Sequence, residues 1–315
     1  MNIVFLDQAT ITLGDIDFSG IRSLGTYREY PNSAESQVLE RATDAKVIIV
    51  NKTPITKQTL ESLKKLKLVT IVATGYNNVD IPAARRNSIA VCNVAGYAGS
   101  TVPQHTFALI LNLVTKAYRY YNDIQNGKWQ DASSFTLLSY PTRELAGKTL
   151  GVIGFGAIGR QVARIAEAFD MRVLAFDISE IKDCGYTRVD LDTLLKNSDI
   201  VTLHCPLTEQ TKNLIDAAAL AKMKNNAILI NTARGGIVDE YALANALNSD
   251  RLGGAGVDVL TQEPPTKGNI LFTAKNIILT PHSAWSTLEA RQRLIDETAK
   301  NITAFFENKP RNLVS

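Results

Sequence analysis

The 315-residue chain is 45% hydrophobic and 21% charged, an ordinary globular composition with material for about two domains at roughly 150 residues each. With 34 Lys and Arg against 31 Asp and Glu, the formal charge is +3, too balanced to argue for nucleic acid or an anionic membrane as partner. No apolar run reaches the roughly 18 residues of a membrane span, and the richest, 107–114, is interrupted by Asn112.

Asp7 sits inside the first apolar stretch, with no basic start or small-residue cleavage site, so no secretory signal is expected. Cys92, Cys184 and Cys205 form neither an even framework nor a CxxC pair. They read as small core residues in a reducing, cytoplasmic compartment. With only His105, His204 and His282 available, no His-rich metal site is expected.

Short β-branched runs alternate with helical stretches, the pattern of α/β domains with parallel sheets. In the first third, 3–6, 47–50, 68–72 and 89–94 predict strands, and 33–42, 56–65 and 80–86 predict helices. A long helix begins at Thr101, carrying Val102, Phe107, Ile110, Leu111, Val114 and residues 117–118 near helical spacing, with Pro103 in its first turn. Residues 127–145 lack periodicity, contain Pro141 and read as a surface excursion. A second block follows, with strands at 150–153, 172–176, 200–203, 227–230, 254–257 and 277–279. Residues 287–307 close the chain as a helix with Leu288, Leu294, Ile295, Thr298, Ile302, Phe305 and Phe306 on one face. The pattern predicts two doubly wound parallel-sheet domains, with no internal repeat and no low-complexity tract.

Gly154-Phe155-Gly156-Ala157-Ile158-Gly159 follows one predicted strand and opens an amphipathic helix. The first glycine permits the sharp turn and the second lets the backbone approach a pyrophosphate. The third lets helix and strand pack closely, while the helix N-terminus offers N–H groups to the anion. The next strand ends at Asp177, 18 residues beyond Gly159. A carboxylate there suits a ribose diol and repels a 2′-phosphate, and no Arg follows it, which favours NAD over NADP.

Ligands of open parallel sheets bind beyond the carboxyl ends of the strands. There the second block places His204-Cys205-Pro206, then Asn231-Thr232-Ala233-Arg234, then Asp258 and Glu263, and finally His282-Ser283-Ala284-Trp285. An Arg, a Glu and a His leaving one sheet edge form a set able to reduce a 2-oxo acid. A guanidinium grips the carboxylate, and an imidazolium donates the proton to the developing alkoxide. A nearby carboxylate favours the charged imidazole and fixes its ring. Singly, each has a bland reading: His282 as a helix cap, Arg234 paired with Asp239 or Glu240, Glu263 as a solvated loop residue. His105 reads as a core or interface residue, and His204 as a wall of the cofactor site.

At these residues the chain resembles the D-isomer-specific 2-hydroxyacid dehydrogenases over nearly its whole length. The matching stretches are Ala73-Thr74-Gly75-Tyr76-Asn77-Asn78-Val79-Asp80, the 147–159 glycine turn, His204–Thr208, Ile230–Asp239, Gly256–Val259 and Pro281-His282. The family's catalytic Arg, Glu and His fall on Arg234, Glu263 and His282. The resemblance implies a flavodoxin-like substrate domain (1–100 with 286–315) and an inserted Rossmann cofactor domain (101–285), with a cleft between them. It implies NAD contacts from 154–159, Asp177, His204, Cys205, Pro206, Thr211, Thr232, Ala233, Arg234, Asp258, His282 and Ala284. It further implies substrate contacts from Asn51, Thr74, Gly75, Tyr76, Arg234, His282 and Trp285, no metal, and a homodimer joined through the cofactor domains.

Gln104 departs from the family, where many members carry Glu. Asn51-Lys52-Thr53-Pro54-Ile55, residues 76–78 and Trp285 are most similar to the glycerate dehydrogenase (hydroxypyruvate reductase) subgroup. The rivals are a D-lactate-type enzyme acting on other 2-oxo acids and a non-enzymatic NAD-sensing protein similar to the related corepressors. A short-chain dehydrogenase is excluded, because none of the ten tyrosines has Lys four positions later.

Overall fold

The computed structural model describes residues 1–179 and 185–315. Cys184, expected to be a small core residue, lies outside them. Contacts divide the chain into two units, 1–98 with 285–315, and 99–284.

The first unit is a five-stranded sheet of β1 (Asn2–Phe5), β2 (Thr26–Glu29), β3 (Val47–Val50), β4 (Leu68–Ile71) and β5 (Ala90–Cys92). Its order is β2-β1-β3-β4-β5 and every pair is parallel. β3 and β4 are buried at every position, as expected for strands covered on both faces. The helices are α1 (Ser19–Arg22), α2 (Glu35–Ala42), α3 (Lys57–Ser62) and α4 (Ile81–Arg86). Thr56 and Asp80 cap the N-termini of α3 and α4 by accepting from Thr59 and Ala83 N–H. β2 was not expected from sequence: an edge strand whose residues are mostly exposed carries no apolar run to read.

The second unit opens with α5 (Thr101–Thr115) and α6 (Ala117–Gln125). Pro103 does stand in the first turn of α5, where a missing N–H costs nothing. The expected continuation through 117–118 fails, because Lys116 turns left-handed (φ 57°) and its N–H closes on Asn112 O, ending α5. Residues 126–148 hold no helix or strand.

Then come β6 (Thr149–Ile153), α7 (Ala157–Glu167), β7 (Arg172–Phe176), β8 (Thr187–Arg188), α8 (Leu191–Asn197), β9 (Ile200–Leu203), α9 (Ala217–Lys222), β10 (Ile228–Asn231), α10 (Glu240–Asn248), β11 (Gly254–Val257) and β12 (Ile277–Leu279). The parallel order β12-β11-β10-β9-β6-β7-β8 reverses between β6 and β9, the switch point at which doubly wound sheets bind ligands.

The chain returns to the first unit as α11 (Leu288–Phe306), capped by Thr287, with Leu294, Ile295 and Ile302 in that unit's core. Trp285, assigned from sequence to the cofactor domain, belongs to the first unit, where its ring meets Tyr97 edge-on at 6.3 Å. Residues 99 and 100 go the other way, since Ser100 O accepts from Gln104 N at the start of α5. Among the described residues, no helix is long and apolar enough to cross a membrane. Among them also, no group of three or more His, Cys, Asp or Glu is placed to hold a metal.

Candidate active site

At the switch point, Gly154 leaves β6 with φ 90°, a conformation that side chains rarely adopt. A Cβ there would sit 2.4 Å from Cys205 N, and one at Gly159 would sit 2.2 Å from Gly154 O, so both must be glycine. At Gly156 a Cβ would meet nothing within 4 Å, leaving open space before α7. No side chain caps α7, whose first-turn N–H groups have no partner within the helix. Asp177, past the end of β7, accepts from Phe155 N at 2.7 Å and Ser179 N at 2.9 Å. Each oxygen keeps further acceptor capacity. An uncapped helix over an open glycine turn with an acidic neighbour fits a dinucleotide pyrophosphate and adenosine ribose.

The next adjacent strand ends carry the candidate chemistry. β10, β11 and β12 are neighbours, so residues beyond the ends of β10 and β12 lie about 10 Å apart across β11. Beyond β10, Asn231 Nδ2 donates to Arg234 O at 2.9 Å while its Oδ1 accepts from Ala233 N at 3.1 Å. Asn231 thereby shapes the turn presenting Arg234, a role the sequence did not suggest. Arg234 is exposed, and among the described residues its guanidinium bonds to the neighbouring Ala233 O alone, at 2.6 Å, leaving most of its donor fork unused. A Cβ on Gly235 would lie 2.0 Å from the backbone carbon of Leu260, so this turn packs directly on the segment leading to Glu263.

Glu263 folds back so that Oε1 accepts from Leu260 N at 2.8 Å, and Oε2 meets His282 Nδ1 at 2.6 Å. Each side chain is about one-third exposed (31% and 34%), so this pair stays accessible to a ligand. With Nδ1 engaged, Nε2 of His282 remains to exchange a proton. The three residues named from sequence thus occur on one edge, two of them in direct contact.

Asp258 follows β11 and is 2% exposed. Its Oδ1 accepts from Ser283 N at 2.9 Å and from the Thr280 hydroxyl, and its Oδ2 accepts from Ala284 N at 3.0 Å. Its main-chain oxygen accepts from His282 N at 2.8 Å. Asp258 therefore organises the loop that carries the imidazole. Ala284 O in turn accepts from Thr101 at 3.1 Å.

Elsewhere the expected contacts vary in availability. Thr232 is buried against Thr106 at 3.1 Å. Thr211 is 2% exposed, its hydroxyl donating to Pro206 O at 2.6 Å and accepting from Thr208 N at 2.7 Å, which shapes the 206–208 turn. Burial pushes the Cys92 and Cys205 thiols up to about 11, keeping them protonated and unreactive. In the first unit, Asn51 Nδ2 donates to Thr10 Oγ1 at 2.9 Å and its N–H to Asp7 Oδ1 at 2.8 Å. Among the described residues, the N–H groups of Thr74, Gly75 and Tyr76 donate no backbone hydrogen bond. Tyr76 is exposed.

Desolvation pushes His204 down to about 3, so its ring, 2.9 Å from Thr202 Oγ1, stays neutral at physiological pH. Between pH 6.5 and about 3 the unfolded chain binds a proton there that the folded chain refuses. Stability is therefore lost as pH falls through that window, by up to about 1.4 kcal/mol per pH unit. Denaturant unfolding at pH 6.5 and pH 5 should show a smaller loss for His204→Gln than for the unmodified chain. Parallel losses would contradict the assignment.

Residues 107–284 match the family model for the D-isomer specific 2-hydroxyacid dehydrogenase NAD-binding domain. The chain belongs to the D-isomer specific 2-hydroxyacid dehydrogenase family. This dehydrogenase is 44% identical to a glycerate dehydrogenase of Methylorubrum extorquens, over 99% of this chain and 98% of that one. It is 36% identical to a hydroxypyruvate reductase of Blautia hydrogenotrophica, over the full length of both. Among solved structures it resembles the D-lactate dehydrogenase of Aquifex aeolicus complexed with NAD and lactic acid. That match has TM-score 0.82 and 31% identity, covering 98% and 96% of the two chains. The dehydrogenase is thus an NAD-dependent oxidoreductase with two parallel-sheet α/β units.

Proposed function

We propose that the enzyme reduces hydroxypyruvate to D-glycerate, and catalyses the reverse, with His282 as proton donor, Glu263 as its partner and Arg234 as the grip on the 2-oxo acid. The observation that carries the chemistry is the 2.6 Å contact between His282 Nδ1 and Glu263 Oε2. A carboxylate there holds the ring by Nδ1 and leaves Nε2 to exchange the proton. Bound NADH supplies the hydride. Arg234 polarises the carbonyl and pairs with the carboxylate. The substrate follows the glycerate dehydrogenase and hydroxypyruvate reductase relatives, which this chain matches from end to end. NADH oxidation with hydroxypyruvate, glyoxylate, pyruvate and phenylpyruvate tests it: hydroxypyruvate should have the highest kcat/KM. Preference for pyruvate would favour a D-lactate-type enzyme, and no turnover with any of them a corepressor-like sensor.

Cofactor contacts run from 154–159 to Asp177. Asp177→Ser should raise the NADH KM by about tenfold and narrow discrimination against NADPH, because one ribose-binding carboxylate and one repulsive charge are removed together. Unchanged cofactor preference in steady-state kinetics would sink the role.

The exposure of Trp129, Phe135, Leu138, Tyr121 and Ile124 over 117–145, Phe135 by 89%, supports a homodimer. Light scattering should give twice the 34.4 kDa chain mass, and charged substitutions at Phe135 and Leu138 should yield monomer. The free thiols of Cys92 and Cys205 accord with a reducing, cytoplasmic setting.

A further inference from the structure

His282 sits in the left-handed region at φ 53°, a conformation unfavourable to a non-glycine residue. The surrounding loop must hold it there. Its N–H reaches Asp258 O at 2.8 Å and Thr280 O at 3.0 Å, and the next two N–H groups close on the Asp258 carboxylate. Thr280, the residue after β12, completes that clamp by donating its hydroxyl proton to Asp258 Oδ1.

A hydroxyl has one proton, so the contact on its other side must come from a donor. That contact is His105 Nε2, 3.0 Å from Thr280 Oγ1 and 3.6 Å from Asp258 Oδ1. Nε2 therefore carries hydrogen, and its bond commits the Thr280 proton to Asp258. His105 projects from α5, which packs on β10 and β11 and so ties the clamp to a rigid element. Its side chain is 22% exposed and the Asp258 side chain 1%, so water competes little for this bond.

We propose that His105 and Thr280 are positioning residues, which aim the His282 ring at its proton-transfer partner by locking the Asp258 clamp. The proposal rests on His282 being the proton donor. Neither side chain touches the reacting atoms; both act through the loop. Displacing a reacting group by about 1 Å can cost a hundredfold in rate.

The test uses the full-length enzyme with NADH and hydroxypyruvate. Thr280→Val, which keeps the shape, and His105→Leu should each lower kcat by roughly ten- to hundredfold. Both KM values should stay within about twofold, because Arg234 and the glycine turn lie on other strands. The solvent deuterium isotope effect on kcat should rise, since proton transfer becomes slower. Thr280→Ser and His105→Gln, which restore a hydroxyl and an N–H donor, should recover most of the rate.

Wild-type kcat in Thr280→Val and His105→Leu would overturn the proposal. So would rate losses that leave the isotope effect unchanged and are not recovered by the conservative variants, which is the mark of a purely structural role. His282→Asn, run in parallel, separates the two readings. Full turnover there would remove the proton donor itself, whereas a dead His282→Asn beside an unimpaired Thr280→Val would remove only the lock.

Discussion

Replacing His282 by Asn should lower kcat for hydroxypyruvate reduction about a thousandfold while leaving NADH binding within a few-fold of the unmodified enzyme. The amide nitrogen of Asn occupies roughly the place of Nδ1 and keeps a donor toward Glu263 Oε2, which His282 meets at 2.6 Å. What is lost is the second ring nitrogen, the one not engaged by Glu263. General acid catalysis contributes typically 10²- to 10⁴-fold, and no other titratable side chain contacts His282 among the described hydrogen bonds. Single-turnover mixing of the NADH complex with substrate, alongside a fluorescence titration of NADH, separates the chemical step from binding. Near-normal turnover would mean that the proton comes from elsewhere.

Arg234→Gln should act differently, raising the oxo-acid KM by roughly a hundredfold with a smaller loss in kcat. Arg234 is exposed, and among the described residues its guanidinium bonds to Ala233 O alone, so little of it is committed to the fold. Two charge-assisted hydrogen bonds to a substrate carboxylate or carbonyl contribute about 3 kcal/mol or more, which is about a hundredfold. Thermal unfolding should move little, because the residue supports no core. An unchanged KM would transfer substrate recognition to other groups. A large drop in stability would mean that Arg234 is structural.

Much of this site was legible because its residues are expensive to place elsewhere. The glycine turn could be read at Gly154 and Gly159, where backbone approaches forbid a Cβ, and the Arg, Glu and His could be read from their positions after strands. The parallel strands were legible for the same reason, since 47–50 is an unbroken apolar run and 68–71 is interrupted by Thr70 alone. β2 was not, because its residues face solvent and carry no pattern. The end of α5 was hidden by a backbone choice at Lys116 that no side-chain periodicity reveals.

Within the site, side-chain partners escaped the sequence entirely. Asn51 was expected to meet substrate, yet its amide donates to Thr10. Asp258 was expected beside the cofactor, and its carboxylate gathers three donors of the His282 loop. Asn231 carried no signal beyond its place before Arg234. Each of these partnerships joins residues brought together by strand order or by a turn, and neither spacing nor residue type encodes them.

The most direct test of the central claim is the chirality of the product. Hydroxypyruvate and NADH, incubated with the enzyme and resolved on a chiral column, should yield D-glycerate in step with NADH consumed, and His282→Asn should yield almost none. L-glycerate, or NADH left unconsumed at high enzyme concentration, would contradict the account.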